Sequence, residues 1–243
     1  MYERPDVPKD SPNRNKVAVI VLLAVAVALV GLVMGLWRLA NANSALGSSD
    51  VGQALSSASS SLGDAQALAE ASGATVTGDE VETVLFVVLD GSDSSSCGAT
   101  FLAAIDSTQG SAKLIFLPLD ALLTSADGLT SVADTYAAGG LRGLAESLAS
   151  AAAVPMSHAI TMTQDGWNAF LDTAQQGSSA LKSNATRLVG GIVSSDLDAT
   201  GLLDIAQRAV SLGVGSSDIV DAPVTEDYLL DAAGLARLVG VLA

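Results

Sequence analysis

A long apolar run near the N-terminus constrains this 243-residue chain more than any other feature. Residues 17–36 read VAVIVLLAVAVALVGLVMGL, twenty residues without a charge, and Trp37 follows them directly. A helix of this length, at about 1.5 Å per residue, spans the hydrocarbon core of a bilayer, which is about 30 Å thick. We therefore predict a transmembrane helix over residues 17–37.

Basic residues on one side of this run predict its orientation. Four of them precede it, namely Arg4, Lys9, Arg14 and Lys16, whereas Arg38 stands alone just beyond it. Because basic flanks stay inside the cell, we predict a cytoplasmic tail at residues 1–16 and a single-pass cell-membrane protein with an extracytoplasmic C-terminal domain. A cleaved signal peptide ending at the Ala-Asn-Ala of residues 40–42 is the alternative. The run exceeds the usual apolar length of such peptides, about 7–15 residues, which favours an uncleaved anchor.

Composition divides the rest of the chain into a spacer and a domain. Residues 38–78 are rich in Ser, Ala and Gly, which predicts a linker with one short helix at residues 64–71. Residues 79–243 form the predicted extracytoplasmic domain. Beyond residue 38 the chain carries 23 acidic and six basic residues, a surface that repels the phosphates of nucleic acid. Nucleic acid is therefore excluded as a partner.

The apolar pattern beyond residue 80 predicts a mixed domain. Continuous or alternating apolar runs bounded by turn residues predict strands at 81–89, 101–105, 113–117 and 154–163, with the first three in a meander or hairpin. Helical spacing of apolar residues predicts helices at 141–153, 164–175, 202–212 and 228–242. Strands and helices in this order predict an α/β or α+β layered domain.

Four segments of this domain resemble, in their order and spacing, the extracytoplasmic domain of the LytR-CpsA-Psr family. They are VLFVVLDGSDS with Gly91 and Asp93, the strand pair that ends in Pro118-Leu119-Asp120, SVADTYAAGG, and VPMSHAITMTQDGWNAFLD with Asp165-Gly166-Trp167. The resemblance covers residues 81–212 and implies a layered α/β/α domain. It also implies binding of polyprenyl-pyrophosphate-linked glycans and transfer of the glycan phosphate to the cell wall, with help from Mg²⁺.

The chain departs from the family at the residues that would hold the pyrophosphate. Leu119 stands where the family's Pro-Arg-Asp motif has arginine, and residues 96–99 replace its Arg-x-Asp-Thr motif. Residues 190–198, where a late arginine pair is expected, contain no basic residue. Asp93 and Asp120 remain in place as metal-ligand candidates, since carboxylates suit Mg²⁺. Two cations that match no motif remain as pyrophosphate-binding candidates, Arg187 and Arg208.

These departures leave three hypotheses open. The first is a degenerate member of the family, a pseudoenzyme of the bacterial cell envelope that binds a polyprenyl-linked lipid or an active relative. The second is a structural or partner-binding envelope module with no lipid site. The third is a working transferase with a rebuilt site. An apolar tunnel between sheet and helices favours the first, and basic side chains converging on its mouth favour the third.

Other reactive residues are assigned structural roles. His158 is the only histidine and lies within a predicted strand, and no Gly-x-Ser-x-Gly nucleophile motif accompanies it, so we predict a structural or surface role. Asp196, Asp198 and Asp204 lack the spacing of a calcium loop, which predicts a solvated acidic face. Cys97 is the only cysteine, so the chain has no intrachain disulfide.

Overall fold

A computed structural model describes residues 46–58, 62–91, 96–125, 128–212 and 219–243 of the chain. The predicted anchor at residues 17–37 lies outside these residues. Within the described ranges, each helix is either too short or too polar to cross a bilayer.

Seven helices and eight strands make up the described part of the chain. The helices are α1 (Ser49–Ala58), α2 (Leu62–Ser72), α3 (Val132–Ala152), α4 (Gln164–Gln175), α5 (Ser178–Val189), α6 (Ala199–Ser211) and α7 (Ala232–Val239). The strands are β1 (Val81–Leu89), β2 (Cys97–Asp106), β3 (Ser111–Leu117), β4 (Leu122–Ser125), β5 (Gly128–Ser131), β6 (His158–Thr163), β7 (Ile192–Ser195) and β8 (Ile219–Asp221).

Six of the strands form one mixed sheet, in the order β7-β6-β1-β2-β3-β8. The predicted meander is confirmed, because β1, β2 and β3 pair antiparallel in sequence order. β6 lies parallel to β1, and β8 lies parallel to β3. β4 and β5 form a separate hairpin. The carboxyl ends of β1, β3, β6 and β8 therefore meet at one edge of the sheet.

Helices cover both faces of this sheet, which explains the near-continuous apolar sequence of β1. Along β1, Leu85, Val87 and Leu89 point into a core shared with α3 and α7, whereas Val84, Phe86 and Val88 point into a core shared with α4 and α6. A strand buried on both faces needs apolar residues at every position. The α/β prediction is thus confirmed as a layered α/β/α arrangement.

Part of the predicted linker belongs to this folded body. Residues 49–72 contain α1 and α2, and Val51, Leu55 and Ala69 are buried in the core beside α3. The helix predicted at residues 64–71 lies within α2. Low hydrophobicity suggested a spacer, but Ala and Leu at helical spacing give each helix one apolar side that the core covers. The spacer prediction is therefore wrong for these residues.

The two helical layers bury very different shares of their side chains. α3 buries eight residues, whereas α5 buries Leu181 alone and α6 buries Ile205 and Ala209. α4 lies between these extremes and anchors its layer with Trp167, whose ring stacks on Phe101 at a centroid distance of 4.4 Å. The layer formed by α5 and α6 is therefore held by fewer buried contacts than the layer formed by α3.

Candidate functional site

The carboxyl edge of the sheet is where the family resemblance places the metal candidates. Asp120 lies on an exposed turn directly after Pro118, beyond the end of β3. Asp93 falls among residues 92–95, outside the described residues. Among the residues that the structure does describe, no group of three or more His, Cys, Asp or Glu side chains could hold a metal ion. Of the two candidate ligands only Asp120 is described, so the Mg²⁺ site that the resemblance implies stays a prediction.

The two candidate cations make contacts of other kinds. Arg208, near the end of α6, contacts Glu82 with an Nη1–Oε2 distance of 2.6 Å. Glu82 lies at the amino end of β1, about 17 Å along the strand from Val87, which is level with the end of β3. Arg208 and Asp120 therefore lie at opposite ends of the sheet. Arg187 donates from Nη2 to Thr173 Oγ1 at 3.2 Å, which joins α5 to α4.

An apolar cavity lies between the sheet and the α5–α6 layer, with a volume of about 80 Å³. Its lining comes from strand residues Phe86, Ala103, Ile105, Leu114, Ile160, Met162 and Ile192, from Phe170 of α4, from Leu181, Ala185, Leu188 and Val189 of α5, and from Ala199, Leu202, Leu203, Ile205, Ala206 and Ala209 of α6. Every lining side chain is apolar. The cavity can therefore accept hydrocarbon and offers no side-chain partner to a polar group.

The cavity wall is only partly shielded from solvent. Leu188, Val189, Leu202 and Ala206 are half-buried, so the space between α5 and α6 reaches the surface. A volume of about 80 Å³ is small beside the roughly 300–1,000 Å³ of a typical ligand pocket. A prenyl chain of several units needs more room. It would have to displace α5 and α6, which bury one and two residues respectively.

A charged network lies at the amino end of β1. His158 Nδ1 lies 2.6 Å from Asp196 Oδ2, and its Nε2 lies 3.1 Å from Glu82 Oε1. Glu82 also binds Arg208, whose Nε contacts Asp204 Oδ2 at 3.1 Å. The hydrogen bond with Asp196, strengthened by both nearby carboxylates, raises the pKa of His158 above its ordinary value although partial burial opposes it. These contacts agree with the structural role predicted for His158 and identify its partners as Asp196 and Glu82.

The three aspartates predicted to form one solvated face have different surroundings in the structure. Asp196 is 12% exposed and also accepts the Ala159 backbone N–H through Oδ1 at 2.9 Å. Asp198 caps the N-terminus of α6 by accepting the Gly201 N–H. Asp198 is also exposed, and Asp204 is 69% exposed, so these two residues fit the predicted solvated face. An open cleft of about 670 Å³ adjoins the network and is lined in part by Glu82 and Arg208.

A second polar cluster lies beneath the N-terminal half of α3. Cys97 Sγ lies 3.2 Å from Thr100 Oγ1, and burial raises the pKa of its thiol. Burial is the main cause that raises the pKa of Tyr136, and the nearby Cys97 adds to it. A hydrogen bond with Thr161 acts in the opposite direction. The α3 backbone leaves helical geometry at Gly140, just after this cluster. Both groups are kept neutral, which agrees with the structural role predicted for the cysteine.

Comparisons with solved structures identify the fold. One similar structure is a LytR-Csp2A-Psr enzyme from Actinomyces oris, with a TM-score of 0.52 and 14% identity, covering 68% of this chain and 91% of that one. A second is the Bacillus subtilis protein described as the transcriptional regulator YvhJ, with a TM-score of 0.50 and 13% identity, covering 67% of this chain and 95% of that one. No protein-family model matches the chain, and no curated protein matches its sequence. The described domain has a LytR-CpsA-Psr-like fold.

Proposed function

We propose that this chain is a single-pass protein of the bacterial cell envelope whose domain binds the prenyl chain of a lipid carrier without transferring a glycan phosphate. The fold is shared with a LytR-Csp2A-Psr enzyme, and glycopolymer transfer is the activity that this resemblance implies. The single observation that carries the lipid-binding part is the cavity between the sheet and the α5–α6 layer, because its lining is wholly apolar. Hydrocarbon is the ligand chemistry that such a lining selects.

The charges support binding without transfer. Pyrophosphate recognition relies on arginine, whose planar group pairs with phosphate oxygens. Leu119 replaces the motif arginine, and Arg208 is committed to Glu82 and Asp204. The acidic excess beyond residue 38 repels a pyrophosphate further. We accordingly propose neither a Mg²⁺ site nor a transfer step for the described residues.

Lipid titration of the full chain in nanodiscs tests this proposal. The whole chain is needed because α1 and α2 contribute to the core, so a fragment starting at residue 79 would lack part of the fold. In a Trp37→Phe background, Trp167 fluorescence reports on the cavity, since Trp167 packs against the lining residue Phe170 at a centroid distance of 5.8 Å. A polyprenol, its pyrophosphate and inorganic pyrophosphate are titrated separately, each with and without Mg²⁺.

We expect the two prenyl compounds to bind with affinities within about threefold of each other, a difference of less than about 1 kcal/mol. Inorganic pyrophosphate should give no signal, and Mg²⁺ should have no effect. Ala206→Phe places a ring in the cavity and should weaken binding by at least about tenfold, a loss of about 1.4 kcal/mol. Ala137→Phe adds the same ring to an exposed position on α3 and should leave binding unchanged.

Two results would overturn the proposal in different directions. Metal-dependent binding of the pyrophosphate that is lost in Asp120→Asn would indicate a working transferase site. Absence of prenyl binding, or binding that Ala206→Phe leaves intact, would remove the lipid function. An envelope module that binds a protein partner, including an active relative, would then be the remaining function.

A further inference from the structure

His158 joins three parts of the fold through two carboxylates. It begins β6, next to Glu82 of the parallel strand β1, and it faces Asp196 in the loop after β7. Both ring nitrogens are within hydrogen-bond distance of a carboxylate oxygen, at 2.6 and 3.1 Å. A carboxylate only accepts hydrogen bonds, so both contacts are satisfied only when the imidazole carries two N–H donors and a positive charge.

The same network holds both ends of α6. Asp196 lies just before the N-cap residue Asp198, and Arg208 lies in the last turn of the helix. Asp196 attaches the N-terminal end to His158, and Arg208 attaches the C-terminal end to Glu82 at 2.6 Å. Few buried side chains assist them, since α6 buries only Ile205 and Ala209. The network is therefore a large part of what keeps this wall of the cavity in place.

We propose that Glu82, His158, Asp196 and Arg208 form a pH-sensitive latch, which holds α6 over the apolar cavity while His158 is protonated and releases it when His158 becomes neutral. The movement of α6 stands on the contacts just described. Its consequence, that release admits a prenyl chain, rests on the proposed function.

The charges around His158 give the direction of the effect. With the histidine protonated, two carboxylates face two cations, His158 and Arg208. Loss of the proton leaves an excess negative charge in a half-buried site and sets a nitrogen lone pair against a carboxylate oxygen. Asp204, on α6, faces Arg208 at the solvent side, and Asp79 and Glu80 line the adjoining cleft. All three are acidic, so they too favour the charged histidine.

The sign of the pH dependence follows from linkage. The pKa of His158 is raised by its contacts in the closed state, so the stabilisation of that state is fully present below about pH 6.5, the ordinary value. It is lost as the pH rises from there through the raised pKa. Each unit by which the pKa is raised corresponds to about a tenfold change in the opening equilibrium of α6.

Hydrogen exchange of the full chain in nanodiscs, without lipid ligand and without a histidine tag, tests the latch. After correction for the intrinsic effect of pH, protection of α6 relative to α3 should fall from about pH 6 to about pH 9, by about tenfold for each unit by which the pKa of His158 is found to be raised. NMR of the imidazole gives the pKa directly, because the chain has one histidine. His158→Gln should remove the pH dependence, and Asp196→Asn should reduce it, because the Glu82 contact remains. Asp172→Asn, at an exposed position on α4, should retain it.

Each outcome has a defined meaning. Protection of α6 that is independent of pH in the wild-type chain, or a pH dependence that persists in both latch variants, would overturn the latch. If His158→Gln fails to fold, Asp196→Asn and the imidazole titration still decide the question. A latch that responds to pH in a protein that binds no prenyl compound would refute the proposed function and leave the latch standing. Prenyl binding together with protection of α6 that does not depend on pH would refute the latch and leave the proposed function standing.

Discussion

Gly166 and Gly191 approach so closely that a single added methyl group should destabilise the domain. A Cβ on Gly166 would lie 2.7 Å from the Gly191 carbonyl oxygen and 2.8 Å from its Cα, where ordinary contacts begin near 3.4 Å. Gly191 is held in place, because its carbonyl accepts the Thr163 N–H at 2.9 Å and its own N–H donates to Leu188 O at 3.1 Å. The backbone would have to retreat against both hydrogen bonds.

Two opposing terms set the size of the effect of Gly166→Ala. Alanine is favoured over glycine inside a helix by about 1 kcal/mol, and Gly166 lies in the first turn of α4. Overpacking costs about 1–3 kcal/mol, and a weakened backbone hydrogen bond adds about 1 kcal/mol. The clash outweighs the helix term, so we expect a net loss of about 1–3 kcal/mol. For a domain of this size that lowers the unfolding midpoint by roughly 2–12 °C.

Thermal unfolding of the full chain in nanodiscs, followed by Trp167 fluorescence in the Trp37→Phe background, measures this change. Gly52→Ala is the matched control, because Gly52 lies in the interior of helix α1 on its exposed side. No atom lies within 4 Å of a Cβ added there. That variant should be more stable by up to about 1 kcal/mol. A Gly166→Ala protein that melts at or above the wild-type temperature would refute the close approach of the two backbones.

Three further predictions concern other parts of the domain. Leu181→Ala should lower the free energy of unfolding, measured by denaturant titration, by about 2–5 kcal/mol, because Leu181 is the one buried residue of α5. The control Lys182→Ala, on the exposed side of the same helix, should change it by less than about 0.5 kcal/mol. Ser131→Ala should cost about 1 kcal/mol by removing the N-cap of α3, and Ser131→Thr, which keeps the hydroxyl that also donates to Asp134, should restore most of it. Alkylation of Cys97 near pH 8, followed by mass spectrometry, should be slower in the folded than in the unfolded chain, because burial raises the pKa of the thiol.

The elements that sequence predicts well are those with a strong local pattern. β1 was predicted with its observed ends because its apolar run is continuous and stops at Asp90-Gly91. α4 was also predicted at its observed bounds. α5 was not predicted, because its apolar side is confined to Leu181, Ala185, Leu188 and Val189 and polar residues fill most other positions of the helix. β7 and β8 escaped because strands of four and three residues are shorter than any periodic signal.

The charged network was beyond sequence reasoning for a different reason. Glu82, His158 and Asp196 are far apart in the chain and meet only because β6 pairs parallel to β1, with Val84 level with His158. The available signals were a carboxylate in an otherwise apolar strand and a single histidine at the start of another strand. Neither identifies a partner without the strand order. The assignment of Asp196 to a solvated face failed because the β7–α6 loop turns it toward that histidine.

The small side chains that dominate this sequence account for the difference between the two faces of the sheet. Ala145, Ala149 and Ala152 let α3 pack closely, so its leucines fill the space beside the sheet. On the other face the helices face aromatic and β-branched residues, and alanines at Ala185 and Ala206 do not reach far enough to fill the gap between α5 and α6. Alanine therefore tightens one layer and leaves a cavity in the other. In the looser layer, charged contacts supplement the two buried residues of α6, so we expect the position of this cavity wall to depend on the protonation of His158.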